Sequence, residues 1–161
     1  MNLLLLLVAF IAGSAISTQA AVNSQLAGGL HGNTVAAALV SFVIGTVALA
    51  AIAVSKGGLA TTMASLPSQP LWRFSGGFLG AAAIFSTVLL APRIGLANLL
   101  ALVIAGQLLT SLAIDHLGLI GMATRHVSGI RVAGAAVLLA GVSLTLFGDS
   151  LVKALSRVSL P

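Results

Sequence analysis

This chain of 161 residues is 59% hydrophobic and only 6% charged, with a mean hydropathy of +1.20. A soluble domain of this length cannot cover its surface with so few charges, so the bilayer is its main solvent. The net charge of +5 comes from single basic residues at the ends of apolar stretches, without a basic stripe, which argues against nucleic acid as a partner. Cysteine is absent and the three histidines are scattered, so no disulfide, metal or cofactor site is predicted.

Five apolar stretches are each long enough to cross about 30 Å of hydrocarbon as a helix of about 20 residues. Span 1 is predicted over residues 2–22, with an extension to Gln25 at most. The rival interpretation of this span is a secretory signal peptide, but no Lys or Arg precedes the apolar run. A polar turn follows, and Asn33 or Thr34 is the predicted N-cap of span 2 over residues 34–54.

The rest of the chain continues this pattern of apolar runs and short connections. Residues 55–70 contain two prolines and are predicted to form a loop. Trp72 is the predicted interfacial anchor of span 3 over residues 71–90, and a tight turn through Pro92 and Gly95 follows. The remaining predicted segments are span 4 at 96–114, span 5 at 129–147 and a tail at 148–161 that is membrane-surface-bound or disordered.

The basic residues divide almost evenly between the two sides of the membrane, because five spans place the termini on opposite sides. One hypothesis is that the chain inserts in both orientations and pairs as an antiparallel homodimer. The other is a single orientation set by Lys56 and Arg73, which favours a cytoplasmic N-terminus. The two groups are Lys56, Arg73, Arg125 and Arg131 on one side, and Arg93, Lys153 and Arg157 on the other.

Polar side chains are costly in hydrocarbon, yet here they recur every four residues, on one face of a helix. Gln19 and Asn23 form such a pair in span 1, and Gln107, Ser111 and Asp115 form a series in span 4. One interpretation is a polar cavity for a small solute, since neutral amides both donate and accept hydrogen bonds. The other is hydrogen bonding between packed helices. Asp115, at the predicted end of span 4, is either a membrane carboxylate used in transport or a helix cap at the interface.

Small residues spaced by four also recur within the spans. Such pairs predict that helix backbones approach closely in a multi-helix bundle. The pairs are Gly13 with Ser17 on span 1, Ser41 with Gly45 on span 2, and Gly76 with Gly80 on span 3.

Six short motifs follow one another along the spans: Gln19-Ala-Ala-Val-Asn23, Ser41-Phe-Val-Ile-Gly45-Thr46, Gly76-Gly77-Phe-Leu-Gly80, Ala91-Pro92-Arg-Ile-Gly95, Ala105-Gly106-Gln107 and Asp115-His116-Leu-Gly118-Leu. In this order they resemble the small five-helix YdcZ-type branch of the drug/metabolite transporter (DMT) superfamily. The resemblance covers about the first three quarters of the chain.

This resemblance implies half of a ten-helix transporter that is built from two inverted five-helix halves. The chain would be completed by antiparallel pairing with itself or with a paralogous five-helix partner. The substrate would lie near the midplane between the halves, where Gln19, Asn23 and Gln107 are the matching positions. The related four-helix exporters use a glutamate in their first helix; this chain has no glutamate, which argues against a copy of their cation–proton exchange.

The sequence therefore predicts a multi-pass inner-membrane transporter that moves a small polar or amphipathic metabolite by alternating access. Phosphate loops, zinc-protease helices and nucleophile-elbow motifs are missing from the sequence, so an enzyme is not predicted. The alternative function is a non-transporting membrane scaffold or accessory subunit, in which the amides only join helices. A channel is a third possibility, which would need rings of pore-lining charge or carbonyls.

Overall fold

Helices dominate the computed structural model, which describes residues 2–158 apart from the side chains of residues 154, 155, 157 and 158. The side chain of Arg157 and the last three residues of the predicted tail lie outside the described residues. Short 3-10 turns occupy Leu66–Ser68, Leu71–Phe74 and Leu119–Gly121. The α-helices of the described residues are α1 (Leu3–Gly29), α2 (Thr34–Lys56), α3 (Leu59–Ser65), α4 (Ser75–Ile94), α5 (Leu96–Leu117) and α6 (Gly129–Val158).

Five helical stretches are long and apolar enough to cross a membrane, which confirms the predicted all-α architecture with five spans. Each stretch begins within one residue of its predicted start and runs two to seven residues past its predicted end. The sequence therefore located the spans but placed their C-terminal ends too early. The stretches are Leu3–Gly29, Thr34–Lys56, Leu71–Ile94, Leu96–Leu117 and Gly129–Lys153.

Helix α1 shows why the predicted ends are early. The polar residues from Asn23 to Gln25 suggested a turn, but they remain inside the helix. The helix ends instead where His31 adopts a left-handed conformation, with φ of 56°, and the Gly32 N–H donates to the Ala27 carbonyl at 2.9 Å. This backbone capping satisfies carbonyl groups that the end of the helix would otherwise leave free.

The connection between α4 and α5 is shorter than the predicted turn. Pro92 lies inside the last turn of α4, where the ring removes only the N–H that would bond the Val88 carbonyl. The turn consists of Gly95, whose φ of 82° is open to glycine and strained for other residues. Helix α5 then continues to Leu117, so Asp115 lies in its last turn and not in a loop.

Two segments that the sequence predicts to be irregular contain helix in the structure. The predicted loop at residues 55–70 includes the short helix α3 and a 3-10 turn. Helix α6 continues without interruption from the predicted span into residues 148–158, where the sequence suggested a separate tail.

The chain divides into two compact units, Met1–Arg93 and Ile94–Pro161, called here the N-terminal and C-terminal units. In the N-terminal unit, α1 and α2 pack as an antiparallel hairpin, and α4 packs against it. The core of this unit consists of the buried residues Ala27, Ala37 and Val88, one from each helix. Since two of the three are alanines, α1 and α2 approach each other closely at this point.

The C-terminal unit is a hairpin of α5 and α6. Its connecting loop returns to the end of α5, where the Arg125 N–H donates to the Asp115 carbonyl at 2.7 Å. Two residues further along the loop, the Val127 N–H donates to Nδ1 of His116 at 3.2 Å. The last turn of α5 therefore fixes the path of the loop through both a backbone and a side-chain acceptor.

Burial is sparse along all five spans. Between 6% and 11% of the residues in the most apolar window of each span are buried. The buried hydrophobic residues of the described chain are mostly alanines, while large apolar side chains remain exposed on every span. A single copy thus leaves most of its apolar surface to lipid or to other protein.

Candidate functional site

Asn23 is the buried polar side chain of the N-terminal unit. It is only 4% exposed and lies on one face of α1 between the buried residues Ala20 and Ala27. The spacing of these three residues, by three and then by four, directs them to the same side of the helix. Asn23 therefore lies on the tightly packed, alanine-rich face of α1.

The amide nitrogen of Asn23 has no hydrogen-bond partner among the described residues. A buried donor without a partner costs about 1–3 kcal/mol, so proteins seldom retain one without a use for it. The Nδ2 group can donate two hydrogen bonds, to oxygen atoms of a bound solute for example. Among the predicted site residues, Asn23 is the one that is buried and whose amide donor has no partner among the described residues.

Gln19 lies one turn before Asn23 on the same face of α1, so the structure brings these two predicted residues together. The Gln19 side chain is exposed and makes no hydrogen bond with any described residue. An exposed amide at this depth of a span is costly in lipid unless protein or water covers it. One face of α1 thus carries an exposed amide at Gln19 and, one turn later, a buried amide at Asn23.

The predicted polar residues of α5 form a second group, in the C-terminal unit. Gln107 is exposed and makes no hydrogen bond with the described residues, and it lies on the side of α5 opposite the buried residue Ala105. Ser111 is also exposed, but its hydroxyl donates to the Leu108 carbonyl at 2.9 Å. This helix bond satisfies the hydroxyl donor, so Ser111 contributes mainly an acceptor oxygen to this surface.

Asp115 completes the series one turn after Ser111 and is half-buried. Its backbone carbonyl accepts from Arg125, while its carboxylate makes no ion pair or hydrogen bond with the described residues. Within the described residues, no group of three or more His, Cys, Asp or Glu side chains could hold a metal ion. Asp115 is therefore a carboxylate at a helix end with free acceptor oxygens.

The predicted packing residues differ in their surroundings. Ser41, Gly45 and Gly80 are half-buried, whereas Gly13 and Gly76 are exposed. A Cβ atom added at Gly80 would lie 3.7 Å from Phe42, which is an ordinary contact between α4 and α2. A Cβ at Gly13, Gly45 or Gly76 would meet nothing within 4 Å. Close helix approach at these three glycines stays a prediction, and within one copy they border open space.

A partly polar cavity of about 530 Å³ in the N-terminal unit was not predicted from the sequence. Arg93, which the sequence placed only in a turn, lines this cavity together with hydroxyl-bearing residues. A separate apolar groove of about 520 Å³ lies between α2 and α4. The sequence feature that could have indicated this cavity is the lack of any acidic residue before Asp115. It leaves Arg93 without a counterion from the first 114 residues.

Comparison with known protein families finds one matching family model, described as "Putative inner membrane exporter, YdcZ", over residues 4–144. No curated protein and no solved structure matches the chain.

Proposed function

The chain belongs to the YdcZ family of inner membrane exporters, and on that basis we propose that it exports a small polar or amphipathic metabolite by alternating access, as an antiparallel dimer. The family is one of exporters and not of enzymes, and five apolar spans make this member a multi-pass inner membrane protein. The class of solute, the binding residues and the antiparallel dimer are the parts of this proposal that go beyond family membership.

The buried amide of Asn23 is the observation that carries the proposal. A membrane scaffold would be expected to use such an amide between helices, where it stabilises packing. The Nδ2 group of Asn23 instead has no partner among the described residues, which supports a role in binding a solute. A hydroxyl, carbonyl or carboxylate oxygen of the solute would accept its hydrogen bonds.

The exposed polar residues support the same assignment. Gln19 and Gln107 present amides that no described residue satisfies, and lipid cannot satisfy them either. In a transporter made of two inverted halves, the faces that carry such residues meet at a central binding site. We therefore assign Gln19, Asn23, Gln107 and Ser111 to solute binding, together with Asp115, which lies one turn after Ser111 on α5.

Pairing of two copies is supported by the sparse burial of the spans. Only 6–11% of the most apolar window of each span is buried, and Gly13, Gly45 and Gly76 border open space. Small-residue pairs are typical sites of close helix approach in membranes. A second copy packed on these glycines would bury the surface that a single copy leaves open.

The transport proposal is tested with purified protein in liposomes. A panel of amino acids, sugars, organic acids and amines is first screened for thermal stabilisation, because a ligand that binds the folded state raises its stability. Compounds that stabilise are then loaded into the liposomes, and their efflux is measured. Gln107→Leu should abolish efflux while the dimer stays intact. Full efflux by this variant, or stabilisation by none of the compounds, would contradict the proposal.

The antiparallel assembly is tested separately, using the lack of native cysteine. Thr61→Cys introduces a single exposed thiol in α3, between the second and third spans. A membrane-impermeant maleimide applied to intact cells should label about half of the molecules if both orientations occur. Labelling of all molecules or of none would establish a single orientation and overturn the antiparallel homodimer.

A further inference from the structure

The partly polar cavity of the N-terminal unit lies where α1 ends, α2 begins and α4 ends. All three helix ends mark the boundary between hydrocarbon and water on one side of the membrane, since each is the end of a span. The cavity is therefore at the depth of lipid headgroups. Its lining includes Ser24, Gly28, Gly32, Thr34, Pro92 and Arg93.

The groups that line this cavity suit an anion that carries several oxygen atoms. The Arg93 guanidinium makes no ion pair or hydrogen bond with the described residues, and the first 114 residues contain no Asp or Glu. The hydroxyls of Ser24 and Thr34 likewise make no hydrogen bond within the described part of the chain. Arginine with neighbouring hydroxyl donors matches the geometry of a phosphate group, and the first turn of α2 adds positive potential.

The apolar groove lies next to the cavity and further toward the middle of the membrane. On α4, Ala81 and Phe85 line the groove while Val88 and Pro92 line the cavity. These four residues are spaced by four, three and four, so they form one stripe along the helix. The lining of the cavity by α4 thus continues directly into the lining of the groove.

Helix α2 shows the same continuity. Thr34 lines the cavity, while Ala38 and Phe42 on the same face line the groove. From Thr34 to Phe42 the helix rises about 12 Å, which extends the groove well into the hydrocarbon. The groove presents almost no polar surface, so it suits an acyl chain.

We propose that this surface binds one phospholipid, with its phosphate in the Arg93 cavity and an acyl chain in the groove between α2 and α4. The cavity with Arg93 and the adjacent apolar groove match the two parts of such a lipid. A second copy of this chain would cover the groove, but it brings only two carboxylates, Asp115 and Asp149, to meet Arg93. The site is distinct from Asn23 and does not depend on the proposed transport.

The site is tested by native mass spectrometry of the purified, detergent-solubilised protein. The probes are phosphatidylglycerol, diacylglycerol with the same acyl chains, and inorganic phosphate. One phosphatidylglycerol per chain should bind saturably, and diacylglycerol at least tenfold more weakly, because it lacks the phosphate. Equal binding of both lipids would reduce the site to ordinary lipid contact and overturn the proposal. Displacement of the lipid by inorganic phosphate at equal concentration would assign the cavity to the free ion.

Matched variants test the phosphate-binding cavity and the acyl-binding groove separately. Arg93→Gln should weaken phosphatidylglycerol binding about tenfold, whereas Arg131→Gln, at another helix end, should leave it unchanged. Ala82→Trp fills the groove and should also weaken lipid binding, while Ala83→Trp, which does not line the groove, should have no effect. Unchanged lipid binding in Arg93→Gln would overturn the proposal. Loss of the dimer in Ala82→Trp with lipid binding intact would assign the groove to a second copy.

Failure of this proposal is distinguishable from failure of the transport proposal. Asn23→Leu lies outside both the cavity and the groove, so it should bind phosphatidylglycerol as the unmodified protein does. A protein that binds the lipid but exports none of the tested compounds would leave the lipid site standing and remove the transport assignment.

Discussion

The two units of the chain handle polarity in different ways. The N-terminal unit encloses a neutral amide, Asn23, and its sequence contains no acidic residue. The C-terminal unit leaves the amide of Gln107 exposed and contains both acidic residues of the chain, Asp115 and Asp149. The comparison supports a division of roles, in which the first unit contributes only neutral amides to the proposed solute site, whereas the second contributes Gln107, Ser111 and also the negative charge.

This division bears on how export could be driven. A carboxylate that exchanges a proton for a solute has to come from the C-terminal unit. Both of its acidic residues lie within candidate spans, and Asp115 is the one that continues the polar series of Gln107 and Ser111 on α5. The amides of the N-terminal unit stay neutral at all physiological pH values, so their hydrogen bonds do not depend on a proton. Variants of the amides and variants of Asp115 should therefore lose transport in different ways.

Among the substitutions that separate the two units, the largest effect is expected for Asn23→Leu, which replaces the buried amide by an apolar side chain of similar shape. Efflux of a transported compound should fall at least tenfold, because the solute loses donors in a dry environment. The thermal midpoint of the purified protein should stay the same or rise, since the substitution removes a buried donor that lacks a partner.

The matched control for this prediction is Asn98→Leu in α5. Asn98 is half-buried, but its Nδ2 group donates to the Ile94 carbonyl at 2.9 Å. Its removal should lower stability by about 0.5–1.5 kcal/mol and leave efflux intact. If both variants lost stability and efflux together, Asn23 would be a structural amide and the difference between the units would disappear.

The next largest effect is expected for Asp115→Asn. The substitution keeps the shape and acceptor oxygen but removes the charge, so efflux driven by a proton gradient should fall about tenfold while binding of the compound persists. Asp149→Asn, at an exposed position of α6, is the control and should transport normally. Equal gradient-driven efflux in the two variants would exclude Asp115 as the coupling group and leave the charge of this unit without a role in transport.

The starts of the helices were predictable from sequence because they depend on local capping. Asn33, a predicted N-cap, accepts a hydrogen bond from the Ala36 N–H at 2.9 Å, and α2 begins at Thr34 as expected. The ends were not predictable in the same way. The polar residues after Asn23 suggested a turn, whereas the backbone at His31 and Gly32 determines where α1 stops.

Prediction of the site residues from sequence is limited in a similar way. Spacing by four correctly placed Gln19 and Asn23 on one face of α1, because the helix period alone decides this. It could not show that Asn23 is buried while Gln19 is exposed, since burial depends on how the other helices of the unit pack on α1. The cavity around Arg93 was hidden for the same reason, as its lining comes from three separate helices.

The loop of the C-terminal unit offers a stability test that does not involve transport. Gly118 has φ of 62°, and a Cβ added there would lie 2.5 Å from Oγ1 of Thr124. Gly118→Ala should therefore lower the stability of the loop by about 1–3 kcal/mol, measured as faster amide hydrogen exchange at residues 119–128 and a lower thermal midpoint. Gly106→Ala, in the open middle of α5, is the control and should be neutral or slightly stabilising. Equal protection in both variants would show that the loop is not fixed at Gly118.

The smallest effect is expected for His116→Ala, which removes the acceptor for the Val127 N–H. A hydrogen bond of this kind contributes about 0.5–1.5 kcal/mol, so amide exchange at Val127 should become roughly 2- to 13-fold faster. His116→Asn should restore part of the protection, because its side-chain oxygen also accepts a hydrogen bond. His126→Ala removes only an edge-to-face ring contact at a centroid distance of 5.6 Å and should change exchange at Val127 less than His116→Ala does. If instead His126→Ala had the larger effect, ring packing and not the Nδ1 acceptor would hold the loop.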